Sequence, residues 1–215
     1  MPTSRRQRRW FPAARELLLA LLPAITLAAV LSHVLPGAAS SSPEGWDDGA
    51  VRYYDASGMR GTVVTAAARW NSSGARVRLR QVDSARQADV VFEVDDRALE
   101  EACGNDCLGY TTSIGRPAGG QVRVLLAEEL GGDPRPLSVW VAAHELGHVL
   151  GLHHRSGNAC SLMSPHAFDT HCAPSLAAAP PTLDQLRCVP APADVEDAAR
   201  IYGAEPARRD DPRCR

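Results

Sequence analysis

The hydrophobic and polar positions change rhythm several times along the chain, and each rhythm predicts an element. Residues 50–54 read as a strand that stops at Asp55-Ala56-Ser57-Gly58, a turn signal. From about Met59 to Trp70, the apolar positions Val63, Ala67 and Trp70 share one helical face, with Ala66 beside them. Asn71-Ser72-Ser73-Gly74 ends that helix. Val77 and Leu79 then alternate with Arg76, Arg78 and Arg80, the period of a half-buried strand. Residues 88–94 and 121–126 predict two further strands, and 95–120 between them reads as irregular. A helix opens at Pro136 or Leu137 and runs to Leu150, where Gly151 stops it. Residues 155–192, dense in Pro and Ala, read as loop. A last helix spans 193–202, with Gly203 at its end as a C-cap. This order predicts an α+β domain with one twisted mixed sheet backed by two helices.

The first 39 residues stand apart. Arg5, Arg6, Arg8, Arg9 and Arg15 precede an apolar run from Leu17 to Leu35, and Gly37-Ala38-Ala39-Ser40 supplies small residues after it. That order predicts a signal peptide cut near Ala39 and hence a secreted protein without a membrane anchor. The alternative is an uncut anchor through 17–35, because the run approaches spanning length. Residues 40–49 read as a linker, 50–203 as the domain and 204–215 as a tail. Removing 1–39 takes five Arg and one Glu away, so the formal charge falls from −2 to −6. An acidic domain without a basic stripe argues against nucleic acid. Its expected state is a monomer acting on protein or peptide substrates.

All six cysteines follow the signal, and export permits disulfides. Proximity favours Cys103–Cys107, Cys160–Cys172 and Cys188–Cys214. No C-x-x-C pair is present, which weighs against a cysteine-ligated metal. Asn71-Ser72-Ser73 also matches a glycosylation sequon; with Arg as the sole basic residue type, a plain turn is the preferred reading.

The segment from His144 to His154 carries the chemistry. His144 and His148 are four apart and share one helix face, so both can aim an imidazole at one metal ion. Glu145 can reach a water at that ion without ligating it. Gly151 can take a left-handed conformation and turn the chain so that His154 returns to the same point. Three His ligands leave one zinc position open, as catalysis requires. His153 falls one residue early and is assigned to a supporting or surface role; His166 and His171 read as solvent-exposed. Met163 follows in a tight Ser-Leu-Met-Ser-Pro turn, suited to form an apolar floor under the imidazoles.

The pattern H-E-x-x-H-x-x-G-x-x-H with a following Met-turn resembles the metzincin zinc proteases. Within them the chain is similar to the snapalysins, small extracellular neutral proteases, through Tyr54-Asp55-Ala56-Ser57, Trp70-Asn71-Ser72-Ser73 and Cys160-Ser161-Leu162-Met163-Ser164. It is also similar to matrixin catalytic domains through Leu162-Met163-Ser164-Pro165 and Ile201-Tyr202-Gly203. The resemblance implies a metzincin-like fold with an active-site helix, a backing helix and a C-terminal helix. It implies Zn2+ on His144, His148 and His154, Glu145 as base, and a Cys160–Cys172 bridge round the Met-turn. It further implies that the 121–126 strand lies over the cleft and pairs with an extended peptide. Snapalysins resemble this pattern with Asp as third ligand, where this chain has His154; the propeptide cysteine of matrixins has no counterpart before Cys103. A structural Ca2+ fits the resemblance, yet Asp47, Asp48, Asp95, Asp96 and Asp106 form no loop signature. A secreted zinc-binding or adhesion module is the alternative function, and an intact Glu145 argues for turnover instead.

Overall fold

Strand-forming segments rich in Val and Tyr meet two apolar helices in the computed structural model, which describes residues 45–155, 161–167 and 182–207. The chain divides into two units, 1–39 and 40–215, and the first lies outside the described residues. Five strands are present among the described residues: β1 (Ala50–Asp55), β2 (Arg78–Gln81), β3 (Val90–Val94), β4 (Gly109–Thr111) and β5 (Val122–Leu126). Four helices accompany them: α1 (Thr62–Asn71), α2 (Asp96–Cys103), α3 (Pro136–Val149) and α4 (Pro192–Ile201). The sheet order is β2-β1-β3-β5-β4, parallel throughout except for antiparallel β4.

Alternation decides which sheet face is covered. Val51, Tyr53, Leu79, Val90, Phe92, Val122, Val124 and Leu126 stand in register on one face and are buried. Arg52, Arg80 and Arg123 project from the other face. The apolar face packs against α1 and α3. In α1 the buried positions are Val63, Ala66, Ala67 and Trp70, the predicted helical face. Trp70 donates its indole N–H to the carbonyl of Ala143 at 2.8 Å, so α1 is tied to α3 one residue before His144. Asn71 bonds the backbone of Leu79 through both amide atoms, at 2.8 and 2.9 Å, and thereby locks α1 to β2. This gives the Asn71-Ser72-Ser73 turn a structural task.

Several expectations are corrected. The 95–120 stretch is irregular only in part: Asp95 caps α2 by accepting from Ala98 N at 3.0 Å, and Gly109–Thr111 forms the sheet edge. Consequently the 121–126 strand does not border the cleft. As β5 it is paired on both sides, by β3 and β4, and has no free edge. A strand of three residues is too short to show alternation, which is why the sequence hides β4. Trp46, read as linker, is buried and donates to Val149 O at 2.7 Å. Tyr202 O–H donates to Leu150 O at 3.0 Å, so two aromatic donors satisfy carbonyls at the end of α3. Ala207, read as tail, donates its amide to Gly74 O at 2.7 Å. No helix among the described residues is long and apolar enough to cross a membrane; residues 17–35 lie outside them.

Candidate metal centre

α3 begins with Pro136 in its first turn, and Ser138 Oγ accepts from Arg135 N at 3.0 Å. Its residues from Ser138 to Val149 are all buried, so the helix runs through the core and carries His144, Glu145 and His148 inward with it. Burying Leu146, Val149 and Leu150 contributes about 1.5–3 kcal/mol each. The helix closes in a paired turn: Gly151 N donates to His148 O and Leu152 N to Gly147 O, both at 2.9 Å. Gly151 has φ +98°, the left-handed conformation that glycine alone adopts freely.

Beyond that turn His154 comes back to α3. Its Nε2 lies 3.1 Å from Nε2 of His144 and 3.2 Å from Nε2 of His148. His144 Nδ1 donates to Leu162 O at 2.7 Å, and His148 Nδ1 donates to Leu152 O at 2.8 Å. Those bonds place the ring protons on Nδ1 and leave both Nε2 atoms as lone pairs. Burial is the largest cause holding His144 down to about 3 and His148 down to about 4; it also lowers His154. The rings are neutral near neutral pH. The Nε2 atoms of His144 and His148 both face that of His154, so three imidazole nitrogens converge on one point. The donor set therefore fits zinc, which takes imidazole nitrogen. Among the described residues these three histidines are the group gathered to hold a metal ion. Asp47, Asp95 and Asp96 are engaged separately, with Arg116, Ala98 N and Glu128 N, so the calcium expectation gains no gathered set.

Glu145 faces the same cleft, whose volume is about 970 Å³. Its carboxylate accepts from Thr111 Oγ1 at 2.7 Å. Burial pushes its pKa up to about 7, against the opposing hydrogen bond from Thr111. Gly109 makes room for it. A Cβ there would stand 2.6 Å from Glu145 Oε1 and 2.8 Å from Val141 Cγ1. Neither Gly109 nor Thr111 is legible as a site residue in the sequence, since both sit on the unpredicted edge strand. Trp140, one turn before His144, stacks on that ring at 5.2 Å and 21°. The i, i+4 spacing from His144 is the signal that marks it.

Met163 is buried against α3 at Gly147, where an added Cβ would strike its Sδ. The turn that carries it is held by Asp194 of α4, which accepts from Leu162 N at 2.8 Å and from Ser161 Oγ. Asp194 is itself buried, at 1% exposure. An Asp two residues after Pro192 at a helix start is a legible capping signal, but its distant partners are not. His153 and His166 are exposed on the cleft rim and stand outside the group of three. His171 lies outside the described residues. Cys103 and Cys107 are brought together, with Cα atoms 6.0 Å apart. Cys188 is described, whereas Cys160, Cys172 and Cys214 fall outside the described residues.

Comparison with known proteins bears on these residues. No curated protein matches the chain. Among solved structures, that of myroilysin aligns at 14% identity and a TM-score of 0.36 over 65% of this chain. The alignment spans 64% of the myroilysin chain, less than two thirds of its length. The sequence profile of the matrixin family matches residues 53–173, which include α1, β2 to β5, α3 and all three histidines. That profile takes in more than half of the 215 residues, and on this ground the chain belongs to the matrixin family of zinc peptidases.

Proposed function

We propose that the protein is a secreted zinc metalloendopeptidase in which His144, His148 and His154 hold the metal and Glu145 is the general base. The observation that carries this reading is the convergence of three Nε2 atoms beside a buried carboxylate in one cleft. When bound, zinc acidifies water and polarises a peptide carbonyl as a Lewis acid. Glu145 accepts the proton of a water in the cleft and delivers it to the leaving nitrogen. Burial raises the Glu145 pKa above the ordinary carboxylate value, which strengthens the carboxylate as a proton acceptor. Thr111 keeps the carboxylate oriented.

β4 supports the binding of an extended peptide. It is the sheet's edge next to Glu145, and Gly109–Thr111 offers backbone to an added strand. Tyr110, Leu108, Ile114 and Trp140 line the same cleft and supply apolar contact for side chains. Met163 serves as the floor of the metal site. Cys103–Cys107 closes the loop before β4 as a disulfide, in keeping with export after cleavage near Ala39. The protein is a monomer with peptide substrates; its acidic charge does not suit nucleic acid.

Casein or quenched-peptide hydrolysis, with metal content measured in parallel, tests the reading. Chelation should abolish turnover, and Glu145→Ala should keep zinc while losing about 10²–10⁴-fold in kcat/KM. A zinc-loaded Glu145→Ala protein that digests casein at the wild-type rate rejects the proposal. Amino-terminal sequencing of exported protein checks the cleavage site.

A further inference from the structure

Two of the three carboxylates on α4, Asp194 and Asp197, are three residues apart and therefore share a face. Each clasps a different segment of the metal centre. Asp194 holds Leu162, whose carbonyl receives His144 Nδ1. Asp197 forms an ion pair with Arg155, the residue after His154. The amide of Arg155 also donates to Met163 O at 2.8 Å. On its other oxygen Asp197 meets Arg200 of its own helix.

His154 needs such help more than its companions do. His144 and His148 ride on a buried helix, with their Nδ1 atoms bonded to carbonyls. His154 lies beyond the helix in irregular backbone and is exposed. Among the described residues no carbonyl receives its Nδ1. Its aim depends on where the chain is pinned on either side. Gly151 and Leu152 pin the near side, through the helix-ending turn. Arg155 pins the far side, by its amide and its guanidinium.

We propose that the Arg155–Asp197 ion pair is a positioning latch that keeps His154 on the metal; this deepens the zinc reading and rests on it. Both side chains are about a third exposed or less, at 33% and 26%. A pair so wetted contributes little to folding. Outer partners of metal ligands, by contrast, change metal affinity about 10–100-fold. The latch should therefore be visible in zinc retention and nearly silent in folding stability.

Zinc release to a competing chromogenic chelator is the experiment, paired with thermal melting of the metal-free proteins. Asp197→Asn and Arg155→Gln should each release zinc about 10-fold faster or more, with metal-free melting unchanged. Arg155→Lys, which keeps the charge, should stay within about threefold of wild type, and Arg200→Gln should match wild type because it leaves Arg155 paired. Wild-type release rates in Asp197→Asn and Arg155→Gln overturn the latch while leaving the zinc reading intact. Equal losses in Arg200→Gln overturn it as well, since they would trace to the helix end. A wild-type protein that takes up no zinc removes the zinc reading and the latch with it.

Discussion

Glu145 is the residue in which folding and function conflict most. Its carboxylate is buried among Val141, Gly109 and Thr111, and its pKa rises from the ordinary 4.5 to about 7. A raised carboxylate pKa means the charged form is disfavoured in the folded state. The associated stability is present below about pH 4.5 and is lost as pH rises through 7. Metal-free Glu145→Gln should thus melt higher than wild type at pH 8, by up to about 3 kcal/mol, and alike near pH 4. Melting curves at the two pH values check this. Equal melting at pH 8 would mean the carboxylate is not strained by burial. Gly109 makes a second test at this scale. The Cβ of Gly109→Ala would sit 2.6 Å from Glu145 Oε1, so the carboxylate must move. A shift of about 1 Å at a catalytic group costs roughly 10²-fold. Peptide hydrolysis should fall by about that factor in Gly109→Ala while zinc content stays at wild type.

At the scale of elements, α3 is held from both ends and from below. Ser138 closes its start, while Trp46 and Tyr202 cover carbonyls at its finish. Met163 fills the notch at Gly147, between the two helical histidines. Gly147→Ala sets two effects against each other. Alanine improves helix propensity by about 1 kcal/mol. Its Cβ would collide with Met163 Sδ and lie 3.1 Å from Met163 Cε and 3.4 Å from Trp70 Cζ2. Overpacking in a filled core costs about 1–3 kcal/mol, so the clash wins. Urea unfolding of Gly147→Ala should show a net loss of about 1 kcal/mol, and the displaced turn should weaken zinc retention. A variant more stable than wild type would mean that the notch is roomier than its contacts state.

For the whole molecule, zinc should act as part of the fold. The three gathered histidines come from two segments, α3 and the chain beyond Gly151, and the Met163 turn and α4 brace them. A ligand that binds the folded state at a thousand times its Kd stabilises by about 4 kcal/mol. In a domain of this size that raises Tm by roughly 8–16 °C. Calorimetry with added zinc, and again with a chelator, should show a Tm that climbs with zinc concentration. A Tm indifferent to zinc would oppose a site of this kind.

Much of this was decided locally. The helical faces of α1 and α3, the histidine spacing, the stop at Gly151 and the four strands β1, β2, β3 and β5 follow from periodicity and backbone preference, which act over a few residues. They are legible because every link in them is close in sequence. The rest required contacts between distant segments. β4 is a strand only because β5 lies beside it, and β5 is interior only because β4 covers its edge. Thr111 meets Glu145 from 34 residues away, and Asp194 reaches the Met163 turn from the last helix. Trp46 reaches Val149 across 103 residues. No local rule can encode such partners, because a hydrogen bond between remote residues depends on where the folded backbone brings them. The sequence alone thus determined which side chains can bind a metal and move a proton. The tertiary structure decided which neighbours aim them, how far burial shifts their charge, and which strand forms the sheet edge beside the cleft.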